Sequence, residues 1–351
     1  MKIRPIYGHD ALLHRLAGAL ASSRFPQAAL FSGAAGVGKQ RLALWVAQGL
    51  LCERGPGAPC DECIACLQVL GLSHPDLHWF VPIPRPKAAD RSKRVEEAKD
   101  LLAEVMADRR QSPLYCRPDG MASHALASIQ LLRRVVGVTP FSAQKKVVIL
   151  GDAERLVVQE ASQEAANALL KILEEPPADT VIILTASESQ ALLPTIRSRL
   201  VPLRVGRVAD DVVERFLSQE LRPAPRGAAL HRRVLLAEGS IGQALWMEDG
   251  STNVTERARR FLDSVDGGPA DWTPIALAQA PWGARGQFTG FLDSASLELR
   301  ERLQERSNSG GNVQGVLRAL ERVQETRAEA QGNVNPQLAL AVLAGDLERL
   351  L

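Results

Sequence analysis

The chain has 351 residues and a formal net charge of +2, from 42 Lys and Arg against 40 Asp and Glu. That balance excludes a coat that binds nucleic acid through charge alone, and 4% aromatic residues exclude a surface built mainly on base stacking. With 46% hydrophobic residues wholesale disorder is excluded too, and the length predicts two or three domains.

Met1 to Asp10 is a charged start with no apolar core behind it, unlike a secretory signal. No apolar stretch approaches the roughly 18–20 residues of a membrane span. The best candidate, Leu338 to Leu347, already contains Asp346. A soluble, cytoplasmic protein without membrane contact is expected.

Ala28 to Ser32 reads as a short buried strand, followed by Gly33-Ala34-Ala35-Gly36-Val37-Gly38-Lys39-Gln40 and a run of helix formers. Strand, glycine-rich loop and helix is the context in which Gly-x-x-x-x-Gly-Lys reads as a P-loop rather than a Gly-rich turn. Gly33, Gly36 and Gly38 would let backbone N–H groups converge on phosphate, with Lys39 reaching the β/γ-phosphates. The eighth position departs from the motif. Gln40 has no hydroxyl for Mg2+, so phosphate binding is compatible with the loop while ATP/Mg2+ turnover is doubtful in this chain.

Four of the five cysteines fall together at Cys52, Cys60, Cys63 and Cys66. Two consecutive Cys-x-x-Cys steps, with Gly55-Pro56-Gly57 bending the chain back to Cys52, suit a closed tetrahedral Zn2+ site of structural type. Ordinary buried cysteines, a redox dithiol and an iron–sulfur cluster are the competing readings. Cys116 stands apart as an unpaired thiol.

Asp76 to Val81 predicts a further strand. Residues 82–123, opening on Pro82, Pro84 and Pro86, form a charge-rich insertion with a helical run at Val95–Ala107, which reads as a solvated excursion. A helix is expected at Ala125–Val138. The β-branched run Lys145 to Leu150 ends at Asp152 and Glu154, acids placed as in a Walker B strand end or as a simple turn and cap. A helix through Asn167–Leu173 stops at Pro176-Pro177, with Glu174 and Glu175 in a last turn whose dipole disfavours them. Thr180–Ser187 and Val201–Val205 predict two more strands, and strands alternating with helices indicate a mostly parallel α/β sheet. Beyond Arg207 three short helices and then longer ones follow. Phe288, Phe291, Leu292, Ala295 and Leu299, and Val313, Val316, Leu317, Leu320 and Val323, lie at helical spacing as core stripes.

The order of P-loop, four-Cys insertion, acidic strand end, Asn167-Ala168-Leu169-Leu170-Lys171-Ile172-Leu173-Glu174-Glu175-Pro176-Pro177, Thr185-Ala186-Ser187 and Ile196-Arg197-Ser198-Arg199 resembles the AAA+ subunits of the bacterial sliding-clamp loader, within the DNA polymerase III holoenzyme. Asn333 to Leu340 extends the likeness towards the end of the chain. The resemblance implies an AAA+ P-loop domain with a zinc module, residues 1–206, a helical lid, 207–250, and an all-α collar, 251–351. The zinc module covers about 50–68. Among the zinc-bearing members, the chain is similar to the delta-prime type. Gln40, Gln243 at the usual place of a nucleotide-sensing arginine, and the lack of an extended tail set it apart from the gamma/tau ATPases, which are the alternative. By the same resemblance, Ser198 and Arg199 match the Ser-Arg-Cys motif, with Leu200 in place of the cysteine. Arg199 is then an arginine finger for the ATP site of a neighbouring subunit. The implied partners are gamma/tau and delta subunits, with the sliding clamp and primed DNA met through the assembly.

Overall fold

The computed structural model describes residues 3–111, 122–156, 163–249, 252–279, 285–310, 313–330 and 334–351. They form two compact units, one running to Ala244 and the other from Leu245 to Leu351. Cys116 lies outside the described residues.

The first unit runs α1 (Asp10–Ala21), β1 (Ala28–Ser32), α2 (Lys39–Leu51), α3 (Ile64–Leu70), β2 (Leu77–Phe80), α4 (Arg91–Gln111), α5 (Leu126–Val136), β3 (Lys146–Leu150), α6 (Gln163–Glu174), β4 (Thr180–Ala186), α7 (Pro194–Arg197), β5 (Val201–Arg204), α8 (Asp210–Glu220) and α9 (Gly227–Ala237), and α10 (Ile241–Asp249) begins in it. The strands form one parallel sheet in the order β2-β3-β4-β1-β5. The three inner strands are apolar along their length because both faces are covered. Phe31, Ile149 and Ile183 point to the side of α1 and α2, while Leu30, Leu150 and Leu184 meet α5 and α6. Pro202 sits in the edge strand β5, where a missing donor is tolerated.

Parallel register brings the carboxyl ends of β1, β3 and β4 to one rim, with Ser32 opposite Ala186 and Leu150 opposite Leu184. The chain departs at that rim towards the P-loop, towards Asp152 and towards Ser187. Such a rim is where open α/β sheets place their ligands.

The insertion differs from the solvated excursion expected of it. Its central part is the 21-residue helix α4, with Val95 and Ala98 buried against Ile83 and Ala127. Leu102, Val105 and Met106 pack on the core that holds the P-loop helix. Positions 95, 98, 102 and 105 alternate steps of three and four, so a narrow apolar stripe runs through a strongly charged helix.

The second unit is helical: α11 (Thr252–Val265), α12 (Pro269–Leu277), α13 (Arg285–Asn308), α14 (Gln314–Glu329) and α15 (Pro336–Leu347). Phe261 and Phe291 meet edge to face at 5.6 Å in its core, beside Leu292, Leu299 and Val323. Leu317, expected in a core stripe, is exposed. Asn335 caps α15 through its side-chain oxygen, with Pro336 in the first turn. Among the described residues, no helix is long and apolar enough to cross a membrane.

Asp76, buried just before β2, accepts from the backbone N–H groups of Phe141, Ser142 and Ala143 and from the Ser142 hydroxyl. Burial by itself would raise its carboxyl, but these four donors outweigh it and hold it below the ordinary value. Asp76→Ala is therefore expected to cost about 2–3 kcal/mol in urea unfolding near neutral pH. A depressed carboxylate contributes fully above its unfolded value and loses its contribution as pH falls through the folded one. The wild-type and Asp76→Ala curves should accordingly converge in acid.

Candidate functional site

Three groups of sequence-predicted residues sit in the first unit, at the P-loop, the cysteine cluster and the surface around Arg199. In the P-loop, Gly36 at φ 79° and Gly38 at φ 98° take the left-handed conformation that favours glycine. A Cβ at Gly33 would lie 2.1 Å from the Val205 carbonyl, so this position also excludes a side chain. Lys39 Nζ donates to the carbonyls of Gly33 at 3.0 Å and Ala34 at 2.8 Å, and to Ser187 Oγ at 2.9 Å. Burial lowers its affinity for a proton, opposed by the charges of Glu154 and Asp152.

Glu154 lies in a short 3-10 turn after β3 and accepts from the Ser187 N–H at 3.0 Å. Its other oxygen is buried with no hydrogen bond among the described residues, and burial, then the charge of Asp152, pushes its carboxyl up. The outer side of the loop is closed by the turn before α10. Ser240 Oγ donates to the Ala35 carbonyl and Gly242 N–H to the Gly36 carbonyl, both at 2.9 Å. His9 Nε2 donates to the Val37 carbonyl, also at 2.9 Å.

Where a P-loop has its metal-binding hydroxyl, Gln40 is buried and turns its amide nitrogen to Asp152 Oδ1 at 3.1 Å. Its amide oxygen accepts from Arg109 of α4 at 3.2 Å. The donor set does not fit Mg2+: the eighth side chain spends its NH2 on the strand-end acid, and a guanidinium holds its only oxygen. Sequence reading gave no site role to Arg109, Ser240 or Gly242, and quoted Ser187 only within its strand-end motif. For Arg109 a signal existed, because 109 continues the 95, 98, 102, 105 stripe.

The cysteines converge around the end of α2. Cys52 caps that helix, Cys63 caps α3, and Cys66 lies in its first turn. All four Sγ atoms lie within 4.8 Å of one another, with Cys52 and Cys63 at 4.0 Å and Cys60 and Cys66 at 3.8 Å. A tetrahedron with metal–sulfur bonds of about 2.3 Å has edges near 3.8 Å, so the cluster can hold a metal ion. The backbone N–H groups of Cys63 and Cys66 point at Cys60 Sγ and Cys63 Sγ, each at 3.4 Å. Donation from Glu62 and Cys63 pulls the Cys60 thiol down to about 6, whereas burial pushes Cys66 up. Gly49 of α2 lets the bend in, since a Cβ there would meet the Gly57 carbonyl at 2.3 Å.

Arg199 follows the short helix α7. Its guanidinium donates to Glu174 Oε1 at 2.6 Å and to the Thr195 carbonyl at 2.8 Å, and its side chain keeps 33% exposure. Glu174, ill placed for its helix dipole, thus has a partner across the surface. Ser198 Oγ donates to the Thr195 carbonyl at 3.0 Å, and Leu200 is buried in the core under α6.

The P-loop is tightly built against its surroundings. A Cβ at Gly36 would stand 2.5 Å from Ser240 Oγ and 2.8 Å from the Gln243 nitrogen, on a backbone already at positive φ. Gly36→Ala is expected to destabilise the first unit by about 2 kcal/mol or more, read as a lowered thermal midpoint.

A family model described as DNA polymerase III, delta subunit, matches residues 8–208, more than half of the chain. The Bacillus subtilis DNA polymerase III subunit delta' is 30% identical over 201 residues, covering 57% of this chain and 48% of that protein. Its Pseudomonas aeruginosa counterpart is 37% identical over 174 residues, 49% of this chain and 40% of that one. The Salmonella typhimurium subunit tau is 30% identical over 294 residues, 80% of this chain and 38% of that protein. The chain therefore spans less than half the length of each of these relatives. The parallel sheet with its P-loop, the cysteine module after α2 and the Ser198-Arg199 surface all fall within the matched residues, and the chain belongs to the DNA polymerase III, delta subunit family, as a delta-prime-type member.

Proposed function

We propose that this chain is a delta-prime-type subunit of a bacterial DNA polymerase III clamp loader, working in the cytoplasm as a fixed element that presents Arg199 to the ATP site of a neighbouring gamma/tau-type subunit. The observation that carries this reading is the contrast between its two sites. The chain's own metal position is filled by the Gln40–Asp152 pair, while Arg199 is at the surface, oriented by Glu174 and the Thr195 carbonyl. A guanidinium held in this way suits the charge that spreads over a transferring γ-phosphoryl. Partners are the gamma/tau and delta subunits, with the sliding clamp and primed DNA engaged through the assembly. Helices α8 to α10 act as the lid and α11 to α15 as the collar that packs with other subunits. A gamma/tau-like ATPase reading keeps Lys39 but gains nothing from Gln40.

Reconstitution with gamma/tau and delta subunits tests the proposal. The isolated chain should show no ATP turnover above background, and turnover abolished by Lys39→Ala would overturn the reading. Arg199→Ala should leave assembly intact and slow the one site it serves by about 10³-fold or more, so that the complex keeps only the turnover of its other sites. Unchanged turnover would remove the finger role.

The four cysteines hold Zn2+ as a structural ion, since four thiolates leave no open position for chemistry. Elemental analysis should find one zinc per chain, and Cys63→Ser should lose it. Because ligand thiolates must be deprotonated, the metal should also leave progressively as pH falls. A chain purified without stoichiometric zinc would overturn this assignment.

A further inference from the structure

Helix α4 has no role in the function proposed above, yet it is docked along its length and ends at the P-loop. Its inward stripe of Val95, Ala98, Leu102 and Val105 continues one step further to Arg109. The end of the helix is fixed by Arg110, which donates twice to the Leu72 carbonyl, at 3.1 and 2.8 Å. Arg109 then places its guanidinium 3.2 Å from Gln40 Oε1 and 4.4 Å from the centre of the Trp79 ring on β2. Packing on an aromatic face and a charge-assisted hydrogen bond pin the cation beside the metal position.

Charge explains what it does there. Asp152 and Glu154 are acids at the carboxyl end of β3, and Lys39 brings one ammonium to them. In a metal-using P-loop the divalent ion supplies the remaining positive charge, held by the eighth hydroxyl and the strand-end acid. Here that hydroxyl is absent, and Gln40 links the acid to a guanidinium through its two ends. Gln suits the post, because its nitrogen donates to the carboxylate while its oxygen accepts from the cation. We infer that Arg109 is an internal cation that takes the place of the metal, so that the insertion helix makes this P-loop independent of Mg2+ and closed to Mg2+–nucleotide. The inference does not depend on Arg199 acting on a neighbour.

The full chain carrying Arg109→Gln tests it by thermal unfolding in EDTA and in millimolar Mg2+. In EDTA the midpoint should fall by about 2–4 °C or more. Mg2+ should restore part of that loss, because the cation can then come from solution, whereas wild type should show no Mg2+ response. A wild-type midpoint in EDTA overturns the assignment, and so does a lowered midpoint that Mg2+ leaves unchanged, the result of a merely structural contact. Arg109→Lys keeps the charge and should stay insensitive to Mg2+; a response equal to that of Arg109→Gln counts against the inference. The double variant Gln40→Ser, Arg109→Gln should bind mant-ADP about tenfold more tightly with Mg2+ than with EDTA. An equal Mg2+ effect in wild type and the double variant overturns the claim that Arg109 excludes the metal.

Discussion

Two acids and one ammonium share the rim of a parallel sheet, and the architecture around the P-loop depends on how that charge is balanced. Asp152 is buried beyond β3, Glu154 is two residues further on, and Lys39 crosses the loop to Ser187. Charged groups taken out of water are tolerated only when paired and hydrogen-bonded. Apart from one buried oxygen of Glu154, the described residues meet that demand from their own chain. The loop's carbonyls accept from Lys39, the Ser187 N–H donates to Glu154, and Gln40 bridges Asp152 to Arg109.

The same self-sufficiency runs through the loop's outer side. The carbonyls of Ala35, Gly36 and Val37 accept from Ser240, Gly242 and His9, so segments far apart in sequence close on a few residues of backbone. The approach of Gly36 to Gly242 leaves no space for a Cβ on either residue. Glycine at these positions serves close contact of backbones as much as any phosphate. Arg199 is arranged differently: it has partners on its own chain, but keeps a third of its side chain exposed.

The insertion shows how a charged helix can conceal an inward face. Eleven of the 21 residues of α4 are Lys, Arg, Asp or Glu, which made a solvated excursion the natural expectation. The inward stripe steps by three and four through Val95, Ala98, Leu102 and Val105, the first two buried and the next two partly so, and ends on an arginine. An arginine on such a stripe is read as surface by composition and as core by spacing, and only its neighbours decide between them. Trp79 and Gln40, distant in sequence, make that decision.

Local chemistry was enough to read the strands, the P-loop and the cysteine module, because each is carried by residues close in sequence with strong backbone or ligand preferences, whereas Ser198 and Arg199 were singled out only by resemblance to a family. Apolar runs of five to seven residues, such as Lys146–Leu150 and Thr180–Ala186, have few places to go except the middle of a sheet covered on both faces. The wrong residue at the eighth P-loop position was likewise visible at once. What replaces the metal was not, since Arg109 reaches Gln40 across 69 positions of chain. Nor could the helix-dipole penalty at Glu174 be explained before Arg199 was found 25 residues away. Pairings of this kind depend on sheet order and helix docking, which are collective properties of the core. Sequence alone determined which groups carry charge, sulfur and backbone freedom; the tertiary structure decided which of them meet, because burial makes every unpaired charge costly and only the folded chain brings the partners together.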